Sequence, residues 1–270
     1  MKTRIIAAAV ALPLFLAVLL VPVTWPSMLL LSAMCAGGAW ELLKATGLVH
    51  NIRLIVYAMV SGVVVCVWSW LGCPGWLGVG WLLVFFLLLA AELLAAHTEL
   101  AFQDVACTAF AGLVMPLLLS ALLRIRCMEN GAYFVLMPLV LAFVADSGAY
   151  FAGRYFGRRK LAPVISPKKT VEGAVGGVLC TVVFVLLYGL VLQVAFRFQV
   201  HYLAGLVYAV LGSTVSIVGD LTYSVIKRQA GIKDYGRVLP GHGGILDRFD
   251  SMSVVAPLTE CLLLVLPFAN

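Results

Sequence analysis

Apolar runs of about twenty residues follow one another along almost the whole chain, and that pattern leaves few folds open. A helix crossing the hydrocarbon core of a bilayer needs roughly 20 apolar residues. Nine runs meet or approach that length: about 5–23, 27–46, 54–72, 76–96, 105–123, 132–152, 173–196, 203–222 and 252–267. The last is short, and the sixth and eighth carry acids. Only 11% of the 270 residues are charged, where a soluble domain carries about 25%. Such a chain cannot cover a water-facing surface. The backbone of a membrane span must satisfy its own polar groups, so helices are the economical solution. The expected fold class is all-α: a polytopic integral membrane protein with about nine transmembrane helices. The opening MKTR and its apolar run resemble a signal peptide, but no small-residue cleavage site follows. Pro22 and Pro26 bound a full-length span, so a retained first helix is expected.

Lysine and arginine set the orientation. With the N-terminus in the cytosol and the spans alternating, fifteen of the eighteen fall on the cytosolic side. Only Arg124, Arg126 and Arg197 fall outside. This follows the positive-inside rule. It places two polar loops, 153–172 and 223–251, in the cytosol, and the C-terminus outside. The net charge of +6 is then a signature of anionic lipid headgroups, and no nucleic-acid partner is expected. The seven cysteines lie in apolar runs without CxxC spacing and read as small core residues. The chain is read as two regions. Residues 1–135 hold about five spans with short loops; residues 136–270 hold nearly all the unusual polar chemistry. That one-sidedness disfavours an inverted-repeat transporter.

Six acids lie within or at the ends of spans: Glu41, Glu92, Asp146, Glu172, Asp220 and Glu260. A carboxylate in hydrocarbon is costly and should face protein, water or a cation. Glu41 and Glu92 lie near cytosolic span ends, where reaching the interface explains them. Asp146 stands two helical turns before Arg154, so the two could share a face. The loop SPKKTVEG begins with Ser166 as a candidate N-cap and Pro167 at the first helical position. Lys168 and Lys169 would then crowd a helix N-terminus, which favours anions. Glu172 would offset part of the repulsion or hold a lysine in place. Gly173 and Gly177 suggest close helix packing. Asp220 ends the eighth run, and Asp247 and Asp250 are spaced to share one helix face. Carboxylates suit Mg²⁺, and Lys227, Arg228, Lys233, Arg237 and Arg248 could meet several phosphates. His242 stands between glycines in PGHGG, where no apolar core claims it.

The stretch SVIKRQAGIKDYGRVLPGHGGILDRFD, Ser224 to Asp250, resembles the signature of phosphatidate cytidylyltransferases, also called CDP-diacylglycerol synthases. DSGAYFAGRYFGRRK from Asp146 and SPKKTVEG from Ser166 resemble the same family. The resemblance implies a nine-helix fold, often homodimeric, and the reaction of CTP with phosphatidate to give CDP-diacylglycerol and pyrophosphate. It implies Mg²⁺ at Asp220 and Asp247, with Asp250 as a further candidate ligand, and allows K⁺ beside it. Lys227, Arg228 and His242 join Asp220 and Asp247 as candidate catalytic residues. Asp146, Ser166, Lys168, Lys169, Thr170, Glu172, Lys233, Asp234 and Arg248 are the candidate substrate contacts. A transporter would not need this cytosolic cluster. A CDP-alcohol phosphotransferase would need a DGxxAR-type motif that the chain lacks, and a polyprenol kinase resembles the family only distantly. An inactive scaffold is disfavoured because every charged signature position is present. A bacterial inner membrane is the expected location.

Overall fold

The computed structural model describes residues 12–236 and 243–270. Helices account for most of them. After a helical stretch α1 (residues 12–20) come α2 (Trp25–Ala45), α3 (Ile52–Leu71), α4 (Gly75–Ala95), α5 (Phe102–Cys127), α6 (Gly131–Phe156), α7 (Val171–Phe196) and α8 (Tyr202–Gln229). Among the described residues these last seven are long and apolar enough to cross a bilayer. The protein is therefore an integral membrane protein. A short α9 (Leu246–Phe249) and α10 (Met252–Val265) follow. The first of the nine expected spans lies partly outside the described residues. The ninth, α10, has 14 residues, about 21 Å at 1.5 Å per residue, short of a perpendicular crossing.

Backbone contacts divide the chain into two compact units, one running through Ala132 and including Gln229–Phe249, the other Tyr133–Arg228 with Asp250–Asn270.

In the first unit, local sequence sets the helix ends. Pro26 occupies the first turn of α2. The Asn51 side chain caps α3 by accepting the Arg53 amide at 2.9 Å, and Gly72, at φ +58°, ends it. The last five residues of α2, Glu41–Ala45, form a π-helical turn. Gly62 of α3 packs on Cys35 of α2, and the Sγ atoms of Cys35 and Cys66 lie 3.6 Å apart. All seven cysteines are free thiols. Arg126, which the positive-inside count treats as an outside charge, is buried. It donates to the carbonyls of Leu19 and Val21 at 2.6 Å each, capping the end of α1.

In the second unit α6 and α7 lie against each other along small residues. A side chain on Gly177 would meet the Ala145 carbonyl at 2.7 Å, and one on Gly173 the Ala149 carbonyl at 2.7 Å. The expected small-residue contact is thus present, with α6 as its partner. Between these helices the chain forms a hairpin of β1 (Lys160–Ala162) and β2 (Ser166–Thr170), antiparallel, with Lys160 opposite Thr170 and Ala162 opposite Ser166. This corrects the expected helix start. Ser166 is no N-cap; SPKKT is strand, and the helix begins five residues later. Thr170 is the cap, its Oγ1 accepting the Gly173 amide at 3.1 Å. Pro167 suits a short strand with an open edge as well as it suits a helix start. The C-terminal end of this unit is tied down by Gln199 and Asn270, which exchange two backbone hydrogen bonds of 3.0 and 3.1 Å.

Candidate active site

The second unit holds a cavity of about 290 Å³ where α6, the hairpin and α8 meet. Asp146, Tyr150 and Arg154 line it from α6, Lys168, Lys169 and Thr170 from β2, and Asp220 from α8; Leu161 and Ile217 add apolar walls. Residues 74 positions apart in sequence, Asp146 and Asp220, thus share one cavity. Arg154 donates to the Tyr150 hydroxyl at 3.2 Å, and both it and Asp146 face the cavity, in keeping with the two-turn spacing between them.

The hairpin decides what the lysines do. Lys169 forms an ion pair with Asp220 and is three-quarters buried, whereas Lys168 is exposed. Asp220 also accepts the Ser224 hydroxyl at 3.3 Å, one helical turn on. Glu172 was expected to balance a lysine. Its carboxylate instead accepts the backbone amides of Arg158 and Arg159, at 2.9 and 3.1 Å, and so fixes the entry to the hairpin. Arg228 reaches the other side of the hairpin, donating to the Ile165 carbonyl at 3.3 Å.

Asp250 is buried, with Lys227 Nζ 3.9 Å from its Oδ2 and the Ser251 amide donating to its Oδ1 at 2.8 Å. Burial, and then the nearby Asp220 charge, push its carboxyl up to about 7, against the pull of Lys227 and the Ser251 amide; Asp146 adds to the upward push. Asp250 therefore feels two other carboxylates of its own unit. Among the described residues, no three His, Cys, Asp or Glu side chains converge closely enough to hold a metal by themselves.

In the first unit, Asp247 turns its carboxylate back on its own loop. Its Oδ2 accepts the Tyr235 amide at 2.8 Å and the Gly244 amide at 2.9 Å. Gly243, at φ +86°, sits against that oxygen, and an added side chain would meet it at 2.8 Å. The expected shared helix face of Asp247 and Asp250 does not form, because α9 ends at Phe249 and Asp250 lies in the turn before α10. Lys233, Asp234 and Arg248 are exposed. His242, with Arg237, lies outside the described residues.

Glu41 was read as an interfacial acid; instead it is only 4% exposed. Its carboxylate accepts the amides of Ile245 at 3.0 Å and Leu246 at 2.9 Å, at the start of α9. The hint in the sequence was an acid one helical turn beyond the Gly37–Gly38 pair, matched by glycines in a distant turn. Glu92 has partners of its own: the Tyr57 hydroxyl at 2.9 Å and Arg53 at 3.6 Å.

These features are those of a membrane-embedded protein with a cavity lined by acids and cations. The profile of the cytidylyltransferase family matches residues 2–266, and the chain belongs to that family. Its relatives include phosphatidate cytidylyltransferases of Staphylococcus saprophyticus, 44% identical over 136 residues, and of Staphylococcus epidermidis and Staphylococcus aureus, each 43% identical over 136 residues. Each match covers 50% of this chain and 51% of the relative, so the chain spans about half the length of the curated relatives it matches.

Proposed function

We propose that this protein transfers the cytidylyl group of CTP to phosphatidate, giving CDP-diacylglycerol and pyrophosphate, in a bacterial cell membrane. The observation that carries the reading is the 290 Å³ cavity, where Arg154, Lys168 and Lys169 stand beside Asp146 and Asp220 on spanning helices. Its wall combines cations with Leu161 and Ile217, which suits a phosphate carried on an apolar body. A phosphate oxygen of phosphatidate attacks the α-phosphorus of CTP. The bond from that phosphorus to the bridging oxygen breaks, and pyrophosphate leaves with the electron pair. The attacking phosphate is already ionised near neutral pH, so no strong general base is required. The barrier lies in bringing two anions together and in charge growing on the leaving group, and fixed cations lower both. Lys168, Lys169 and Arg154 supply that charge at the cavity; Lys227 and Arg228 extend it.

Mg²⁺ is part of the proposal, with K⁺ allowed beside it. The chemistry of the donors suits a hard cation: Asp250 is a buried carboxylate with Lys227 Nζ 3.9 Å away, and Asp220, paired with Lys169, is a second carboxylate of the same unit. Asp220 and Asp250 would hold the ion, with Asp247, whose Oδ2 accepts two backbone amides, kept as a further candidate ligand of the signature, and the ion would supply charge stabilisation for the departing pyrophosphate. Asp247 and His242 enter as the remaining reaction residues of the signature, and Lys233, Asp234 and Arg248 as its substrate contacts. A cytosolic N-terminus, cytosolic loops 153–172 and 223–251, and a homodimer complete the reading. The test is direct. Purified protein in detergent, given labelled CTP, phosphatidate and Mg²⁺, should form labelled CDP-diacylglycerol. Transfer of the γ-phosphate to a lipid alcohol, or no labelled lipid at all, would overturn it.

A further inference from the structure

The loop that carries Asp247 is held in shape by a residue far from it in sequence. Glu41 sits at the first position of the π-helical turn that ends α2. Such a turn shifts the side chains after it around the helix axis, and π-turns occur often at functional sites. Here Glu41 accepts two consecutive amides of the loop, Ile245 and Leu246, at 3.0 and 2.9 Å. Gly236 and Gly244 close over the same carboxylate; a side chain on either would overlap it. Ile245 and Leu246 in turn pack on Gly37 and Gly38 of α2. Gly244, pressed on Glu41, gives its amide to Asp247 Oδ2 at 2.9 Å, and Tyr235, beside Gly236, gives its own at 2.8 Å. The two carboxylates therefore organise one loop from opposite ends: Glu41 fixes the backbone, and that backbone fixes Asp247.

A bulky apolar residue could not substitute, because two buried amides would lose their acceptor. Glutamine could not either. One of its two terminal atoms is a donor, and at this site it would face an N–H.

We propose that Glu41 is a positioning residue of the reaction, acting through the loop 243–247 on the side chain of Asp247. The inference rests on the transferase reading above. Two readouts separate a positioning role from a merely structural one: hydrogen exchange of the 243–249 peptide, and the division of the activity loss between kcat and KM. In Glu41→Gln the 243–249 amides should exchange about tenfold faster, the cost of hydrogen bonds to a charged acceptor, while peptides of α6–α8 keep their protection. In the same variant kcat should fall roughly tenfold or more, with KM for CTP and for phosphatidate little changed. Glu41→Asp, which keeps the charge, should recover part of both. Gly244→Ala should reproduce both effects from the loop side without altering a spanning helix, and it decides the matter if Glu41→Gln does not insert. Glu92→Gln removes another span acid and should leave both readouts at the wild-type level. Wild-type exchange and kcat in Glu41→Gln and Gly244→Ala would overturn the proposal, as would lost activity with an unchanged loop. If the wild-type protein forms no CDP-diacylglycerol, the transferase reading fails, while the exchange comparison still decides whether Glu41 holds the loop.

Discussion

Two carboxylates and two lysines can be tested singly. Asp220→Asn and Asp250→Asn each remove a charge that the proposed Mg²⁺ requires, and each should lower turnover roughly a hundredfold or more. Both should still insert and purify as a single species, and turnover near wild type in either removes that residue from the site. The lysines should no longer behave alike. Lys169 is paired with Asp220 and Lys168 is exposed, so Lys169→Met should cost more activity than Lys168→Met, measured as kcat/KM for each substrate. Equal losses would mean that the ion pair has no part in the reaction. At this scale the sequence was informative about which residues matter and poor about what they do. Asp146 and Asp220 could be singled out because charge within an apolar span is costly, and Lys169 because two lysines crowd what reads as a helix start. Glu41 carries the same signal, yet its hydrogen-bond partners lie more than 200 residues away. No local pattern reveals a pairing of that kind.

The elements were legible where hydropathy alone decides them. α2 to α8 follow apolar runs whose length the bilayer dictates, and their ends lie within four residues of the expected ones, except that α8 continues to Gln229, so the expected loop from 223 begins as helix. The hairpin was missed because Ser-Pro followed by polar residues suits a helix start and a short strand equally well. What settles it is Thr170, whose hydroxyl caps α7 and leaves Ser166 to Lys169 free to pair with β1. Thr170→Ala should therefore cost about 1 kcal/mol, the usual value of such a cap, read as a lower midpoint of thermal unfolding in detergent. Ser166→Ala should leave the midpoint unchanged. The α6–α7 contact should prove stricter. Gly177→Leu places a branched side chain against the Ala145 carbonyl, and a loss of 1–3 kcal/mol or more is expected, on the order of other overpacked contacts.

Across the whole molecule, orientation is the first matter to settle. Single cysteines in 153–165 and 229–236, in a background cleared of native cysteines, should react only with reagents added from the cytosolic side. Labelling of either loop from outside would reverse the charge-based topology and remove the proposed route of entry for CTP. Hydropathy and polar content did not reveal that the first unit reclaims Gln229–Phe249 after the chain has built most of the second. That return has a consequence for the order of events during synthesis. Glu41 leaves the ribosome 204 residues ahead of Ile245, a delay of about 10–40 s at 5–20 residues per second. Through that interval the acid at the end of α2 has no loop to hold. A chain terminated before Ile245 therefore carries the spans of its first unit but lacks the amides that the Glu41 carboxylate holds.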